Sequence, residues 1–472
     1  ERGVRVFQGQ LGYDYLGNWI DREGNRNIEP EFLRPFLEAQ GHAPALITRA
    51  IQHLLKVATD QSRSLYDVNR SVYELLRYGV KVRADVGEQT QTVWLIDWNN
   101  PEANHFAIAE EVAVKAGSDG KSHGKRPDVV IYVNGIALGV IELKRSTVSV
   151  AQGIRQNLDN QKPIFIQPFF TTMQLLMAGN DTEGLRYGLI ETPEKYWLTW
   201  KEENPEYRLG VDGKDQKYLP AAPCDAGTSP LDCAIARMCR KDRFLENIHD
   251  FMVFDAGVKK TSRHNQYFGV RASQEHIRRR EGGIIWHTQG SGKSLTMVWL
   301  AKWIRENVKG GRVLIITDRT ELDEQIEKVF KGVNEDILRI QADGGVSGGA
   351  KLIAALNDTI PWLMCSLIHK FGAREDEADI DGYVADLRRA LPPDFAPKGD
   401  IFVFVDEAHR TQTGDLHKAM KAILPNAMFI GFTGTPLLKS DKQTSLEVFG
   451  PYIHTYKFDE AVRDEVILDL RY

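Results

Sequence analysis

Cysteine is scarce: the 472 residues include 4, at positions 224, 233, 239 and 365. No two form a CxxC pair, which argues against a structural zinc site. So few thiols in so long a chain suit a reducing compartment, and a cytoplasmic location is expected. No run of about 18 apolar residues exists, no signal-peptide pattern opens the chain, and no membrane partner is expected. Positive charge is not in excess either. Lys and Arg total 60 against 65 Asp and Glu, a net charge of −5, so a nucleic-acid binder would have to gather its basic residues locally. Repeats and low-complexity tracts are absent. What remains is ordinary globular composition, 42% hydrophobic and 26% charged, enough for about three domains at roughly 150 residues each. The chain opens on Glu1 rather than Met, as a fragment or trimmed chain would.

Helical periodicity marks Glu31–Glu38, Ala45–Val57 and Ser71–Tyr78. Gln91–Asp97 reads as a β-rich run. A helix is expected from Val150 to about Asn160. The segment 201–242 is polar and rich in Pro and Gly, the best candidate for a linker or insertion, within a broader stretch near 180–242. From about 243 short apolar strands alternate with helices: Gly283–Trp286, Val313–Thr317 and Ile401–Val405. Runs of that length predict buried parallel strands covered by helices. Two domains are therefore expected, 1–242 and 243–472.

Two apolar runs, Val129–Val133 and Ile136–Leu143, flank Asn134-Gly135. That is a strong hairpin signal. Arg126-Pro-Asp128 and Glu142-Leu-Lys144 bracket the hairpin, with 129 through 141 between the two carboxylates. Asp128 and Glu142 could bind Mg²⁺, which would acidify a water and steady a leaving oxygen. Lys144, on the same strand face as Glu142, could hold the attacking water or the phosphate. Register constrains this. A two-residue loop pairs residues summing to 269 and sets Asp128 against Ile141, whereas Asp128 opposite Glu142 needs 270. A three-residue loop or a β-bulge is therefore expected. The plainer reading is a solvated edge hairpin whose charges are decoration. Glu74 is a possible third acidic ligand, with surface salt bridging the commoner role for such a residue.

His287-Thr-Gln-Gly-Ser-Gly-Lys-Ser294 follows one apolar strand and precedes the helix Leu295–Ile304. Backbone N–H groups of Gly290, Ser291 and Gly292 could approach phosphates, Lys293 would meet the β and γ phosphates, and Ser294 could bind Mg²⁺. His287 stands where the strict pattern has Gly. About 110 residues on, Ile401–Val405 leads into Asp406-Glu-Ala-His409. Asp406 would hold Mg²⁺ and Glu407 would polarise the attacking water. An acidic pair after a strand is ordinarily a helix cap. The two elements together point to an ATP site.

Residues 261–472 resemble the first RecA-like domain of a superfamily-two helicase. Gln289–Ser294 matches its motif I, Asp406–His409 motif II, Thr433-Gly-Thr435 motif III and Thr317–Leu322 motif Ia. The resemblance implies that Gln266 reads adenine, that Arg319 touches DNA and that His409 relays nucleotide state. A second RecA-like domain with arginine fingers would follow Tyr472, so this chain alone should bind Mg-ATP and hydrolyse it poorly. The Asp128, Glu142, Lys144 set resembles the PD-(D/E)xK nuclease motif, and Gln152 the extra glutamine of its RecB-like branch. That branch shows Gln-x-x-x-Tyr, and here the fifth position is Gln156.

A nuclease motif followed by a helicase motor is similar to the restriction (R) subunit of type I restriction–modification enzymes. Leu11–Trp19, Asn27–Glu29 and Asn157–Gln161 match its signature. The fold implied is α/β: a PD-(D/E)xK nuclease domain with a mixed sheet, then one RecA-like parallel-sheet domain. The activity implied is ATP-driven translocation of double-stranded DNA coupled to Mg-dependent cleavage, in complex with methyltransferase (M) and specificity (S) subunits. Rival readings are a DNA-repair helicase–nuclease acting on ends and a non-catalytic DNA scaffold. Lys214 or Lys217 in the insertion is a candidate for coupling nuclease to motor. Arg278–Arg280 and Lys259-Lys260 could track phosphates.

Overall fold

The computed structural model describes residues 2–85, 87–115, 123–202, 224, 228–317, 320–333, 335–340, 348–367, 391–392, 395–406, 420–421, 423–435 and 449–467. Two compact units divide the chain, one ending at Arg263 and the other running from His264. The expected boundary at 242/243 falls inside a helix, Lys241–Asp250.

The first unit is a seven-stranded mixed sheet with helices. Its strands are β1 (Asp14–Asn18), β4 (Phe106–Glu110), β5 (Val129–Val133), β6 (Ile136–Leu143), β7 (Leu175–Asn180), β8 (Gly184–Gly188) and β9 (Leu198–Thr199), side by side in that order. β1–β4 and β6–β7 pair parallel, the others antiparallel. β2 (Val80–Val82) and β3 (Gln91–Val93) form a separate ribbon. Its helices are α1 (Arg2–Gly9), α2 (Pro30–Ala39), α3 (Pro44–Ala58), α4 (Leu65–Tyr78), α5 (Val150–Asn160), α6 (Pro230–Met238) and α7 (Lys241–Asp250). The helices expected near 31–38, 45–57, 71–78 and 150–160 are all present. Of the β-rich run only Gln91–Val93 pairs; the chain leaves the ladder at Trp94.

The linker expected over 201–242 is in part ordered structure. Ser229 caps α6 by accepting from the Asp232 amide at 3.1 Å, and Leu231 lies close against Gly179 of β7. Cys224 and Cys233 lie together as a disulfide pair, with Cα atoms 5.6 Å apart. β10 (Met252–Asp255) and β11 (Val258–Thr261) form an antiparallel ribbon that also belongs to the first unit.

The β5–β6 hairpin carries the feature that sets the site. Asn134 and Gly135 have φ of 51° and 76°, the left-handed pair of a type I′ turn. Next to the turn, Val133 pairs with Ile136 and Tyr132 with Ala137; beyond it, Ile131 pairs with Gly139 and Val129 with Ile141. Leu138 is the extra residue of a β-bulge. The residue sum shifts from 269 to 270, which continues Asp128 opposite Glu142. The hairpin is not at an edge. β5 and β6 occupy the third and fourth places of seven and are buried along almost their whole length. Val130, Tyr132 and Val140 share one core with Val150 and Ile154 of α5, and Gly139 packs against Phe244 of α7.

The second unit holds seven strands: β12 (Gly283–His287), β13 (Gly311–Thr317), β14 (Leu338–Ile340), β15 (Leu363–Leu367), β16 (Asp400–Val405), β17 (Met428–Thr433) and β18 (Tyr452–Tyr456). Their order is β14-β15-β13-β16-β17-β12-β18, and every pairing among the described strands is parallel. The helices are α8 (His264–Arg279), α9 (Lys293–Asn307), α10 (Thr320–Gly332), α11 (Gly348–Asn357) and α12 (Phe458–Arg463). Leu352 and Leu356 of α11 share a core with Leu314, Ile316, Val403 and Val405. Continuous apolar strands need cover on both faces, which is why these runs were readable as a buried parallel sheet. Among the described residues no helix is long and apolar enough to cross a membrane.

Candidate functional site

At the open end of the β5–β6 hairpin three predicted residues converge. The Leu143 amide donates to Asp128 Oδ2 at 2.7 Å, which fixes the aspartate beside the strand carrying Glu142. Lys144 Nζ lies 3.7 Å from Asp128 Oδ2 and 3.9 Å from Glu142 Oε2. The Lys144 amide donates to Gly179 O of β7 at 2.9 Å, so the lysine leaves a paired backbone. The Glu142 side chain is fully buried, whereas Asp128 keeps 25% and Lys144 17% exposure. Burial raises the Glu142 pKa well above the usual carboxylate range. The Asp128 charge raises it further and Lys144 opposes both.

The cluster fits a divalent cation by its chemistry. Carboxylate oxygens are the hard ligands Mg²⁺ selects, and Glu142 Oε2 is a buried oxygen that accepts no hydrogen bond. Among the described residues no group of three or more His, Cys, Asp or Glu side chains is arranged to hold a metal; the carboxylates brought together here are two, Asp128 and Glu142. Glu74 makes the surface salt bridge that is the commoner role for such a residue. It pairs with Arg70 one helical turn away at 3.4 Å and is half exposed. Gln152 lies exposed in the first turn of α5, one residue before Gly153.

Sequence reasoning missed Asn160. This buried amide at the end of α5 donates from Nδ2 to Glu142 Oε1 at 3.2 Å. A signal was available. Gly153, Asn157 and Asn160 recur at helical spacing on the face of α5 turned to β6 and β7, where apolar residues would be expected. A Cβ on Gly153 would lie 3.4 Å from Glu142 O, and Asn157 donates to Met177 O at 2.9 Å.

In the second unit β12 runs into the glycine-rich loop, and α9 begins at Lys293. Gly290 and Gly292 have φ of 81° and 88°, conformations that favour glycine. Ser291 closes the loop by donating from Oγ to Thr288 O at 2.6 Å. Gln266 Nε2 donates to Gly292 O at 2.9 Å, so this side chain braces the loop. Gly434, in the turn after β17, lies where an added Cβ would come within 2.9 Å of Lys293 Nζ. Ser294 is in the first turn of α9, and buried Asp406 ends β16 with its amide bonded to Ile316 O at 2.9 Å. The residues expected to hold a nucleotide thus stand at the C-terminal ends of parallel strands or at the helix N-terminus that follows. Glu407, His409, Asp318, Arg319, Lys214 and Lys217 lie outside the described residues.

The basic runs are paired with neighbouring groups. Arg278 pairs with Glu275, Arg279 with Glu281 at 2.9 Å and Arg280 with Asp400 at 2.6 Å. Lys259 is buried and donates to Asn69 Oδ1 at 2.8 Å and Gln174 Oε1 at 2.6 Å, while Lys260 pairs with Asp255.

Comparison with known proteins bears on both units. The family model for the N terminus of type I restriction enzyme R proteins matches residues 4–195, and the SWI2/SNF2 ATPase model matches residues 265–472. Over its first part the chain is similar to the type I restriction enzyme R proteins, and over its second to the SWI2/SNF2 ATPases. Among curated relatives, the type I restriction enzyme HindI endonuclease subunit of Haemophilus influenzae is 28% identical, over 91% of this chain and 41% of its own length. The putative type I restriction enzyme MjaIXP endonuclease subunit of Methanocaldococcus jannaschii is 27% identical, over 98% of this chain and 44% of its own. The chain thus spans less than half the length of these relatives. A solved Sulfolobus solfataricus SWI2/SNF2 ATPase core in complex with dsDNA aligns with 46% of this chain and 40% of its own, at 13% identity and a TM-score of 0.30.

Proposed function

We propose that this chain carries the nuclease and the first half of the motor of a type I R subunit. In the full-length protein, ATP-driven movement of double-stranded DNA would be coupled to Mg-dependent cleavage of unmodified DNA, with M and S subunits as partners. The observation that carries the nuclease half is the Leu138 bulge, which brings Asp128 alongside Glu142 with Lys144 within 4 Å of both. A PD-(D/E)xK nuclease is the known chemistry that uses this set.

In this reading Asp128 and Glu142 hold Mg²⁺. When bound, the ion supplies an acidified water and charge neutralisation at the leaving oxygen. Asp128, held by the Leu143 amide, and Glu142, locked in the sheet, bind without reorganising. Lys144 orients the attacking water or steadies the phosphate, its charge already balanced against both carboxylates. Gln152, exposed on the neighbouring helix, is a contact for substrate or its water. In the second unit the backbone N–H groups of Gly290, Ser291 and Gly292 cradle the ATP phosphates, and Lys293 neutralises the β and γ oxygens. Ser294 and Asp406 hold the nucleotide's Mg²⁺, Glu407 polarises water, and Gln266 braces the loop beside the adenine site. We further propose that 1–263 and 264–472 are the functional domains, replacing the expected boundary at 242/243.

The test uses the full-length chain with its methyltransferase and specificity partners on unmethylated circular plasmid with Mg²⁺, with and without ATP. ATP-dependent cutting is expected. Asp128→Ala or Glu142→Ala should lower it by at least about 100-fold while ATP turnover persists. Cutting that needs free ends, or none of the partners, would replace this reading with a repair helicase–nuclease. Undiminished cutting by Glu142→Ala would remove the hairpin from the nuclease.

A further inference from the structure

We infer that Asn160 is the positioning residue for Glu142: it fixes which carboxylate oxygen faces the reaction and so sets the metal affinity of the site. The inference rests on the nuclease reading above and assigns it a residue outside the Asp, Glu, Lys set. The two oxygens of Glu142 are made inequivalent. Oε1 accepts from Asn160 Nδ2 at 3.2 Å. Oε2 faces the other way, 3.9 Å from Lys144 Nζ, and accepts no hydrogen bond. Held by Asn160 at one oxygen, the buried carboxyl presents the other to Lys144 and the neighbouring Asp128 carboxyl.

Asn160 carries an energetic cost that packing does not explain. It is fully buried, and its own Oδ1 is another polar atom with no partner. A buried amide left half satisfied is destabilising relative to a leucine of similar size, and such exceptions concentrate where a site needs them. Its anchorage is rigid. Ile166 N donates to Asn160 O at 3.2 Å, closing the chain behind the helix, and Gly153 lets α5 approach the Glu142 backbone closely. Asn157, on the same face, serves as an internal contrast. It is equally buried and its Oδ1 likewise has no partner, so the difference lies in the donor alone: its Nδ2 donates to the β7 backbone at Met177 O and holds the helix, not the carboxylate. Ligand-orienting groups of this kind are worth about 10- to 100-fold in metal affinity.

The experiment compares Asn160→Leu, Asn160→Asp, Asn157→Leu and Glu142→Ala in the full-length chain. Mn²⁺ binding is measured by titration calorimetry without nucleotide, and the Mn²⁺ dependence of plasmid cleavage is measured with partners and ATP. The thermal transition of the first unit reports that each variant is folded, and ATP turnover that the motor is intact. Both Asn160 variants should raise the Mn²⁺ dissociation constant and the half-saturating Mn²⁺ by about tenfold or more, with cleavage at saturating Mn²⁺ much less affected. Asn157→Leu should lower the melting temperature without moving either metal constant. Asn160→Asp, equal in size to the parent, decides the matter if Asn160→Leu does not fold. The inference is overturned if Asn160→Asp binds Mn²⁺ within twofold of the parent, or if Asn157→Leu weakens binding as much. Glu142→Ala that still binds Mn²⁺ and cuts would overturn the nuclease reading itself, a result separate from either.

Discussion

His287 stands where a phosphate loop ordinarily opens on glycine, and its neighbours account for the imidazole. The ring is buried at the end of β12 with Nε2 2.7 Å from His454 Nδ1 of β18. Gly269 of α8 makes the space: a Cβ there would come within 3.0 Å of the ring. Burial, then the charge of His454 and that of Lys293, push the His287 pKa well below its ordinary value of 6.5. The sign follows directly. Above about pH 6.5 the ring is neutral in both folded and unfolded chains. Below that value the unfolded chain takes up a proton that the folded chain refuses, so stability is present above pH 6.5 and is lost as pH falls toward the folded pKa. The melting temperature of the second unit should therefore drop between pH 7 and pH 5. His287→Asn should flatten that drop, and parallel curves for the two proteins would refute the assignment.

At the scale of elements, the hairpin and α5 were the most legible parts of the candidate site. The Asn-Gly turn, the bulge and the span of α5 were all readable, because turn chemistry and alternation are local properties of the chain. What α5 does to Glu142 was not. Glu142 and Asn160 are 18 residues apart, and their meeting depends on the parallel pairing of β6 with β7, which no local pattern encodes. The same limit hid the pairing of Arg280 with Asp400, 120 residues away, and so left a run of arginines looking free. It also hid the membership of β10 and β11 in the first unit. The close approach of α5 makes its own prediction. Gly153 lies where a Cβ would meet Ala178 Cβ at 3.1 Å on a central strand, which cannot yield. Gly153→Val should destabilise the first unit by roughly 1–3 kcal/mol and lower cleavage, despite the better helix former, as read by its thermal transition. Unchanged melting would mean that α5 can shift freely.

For the whole molecule, two sheets of different construction bear the two candidate sites. The mixed sheet places carboxylates at the end of an antiparallel hairpin; the parallel sheet places its polar groups at the C-terminal ends of its strands. The proposed dependence between them is one-directional. Loss of the nuclease should leave the motor running, whereas loss of the motor should silence both. Lys293→Ala should lower ATP turnover by at least about 100-fold and abolish plasmid cutting, while leaving nucleotide-free Mn²⁺ binding at Glu142 unchanged. Persistent cutting by Lys293→Ala would show that cleavage does not need the motor. The overall order, a mixed-sheet unit and then a parallel-sheet unit, was legible because each unit carries its own compact motif. The division after Arg263 was not, since the helix and ribbon that precede it read like the start of the next unit.

The fourth of seven strands, β6 is hydrogen-bonded along both edges, to β5 on one side and β7 on the other. Its amides have no route to solvent through fraying at a sheet edge. Deuterium should enter Ile141 and Glu142 only when the first unit unfolds globally, at the slow end of the exchange spectrum. The carboxylate on which cleavage would turn is thus as long-lived as the fold that carries it.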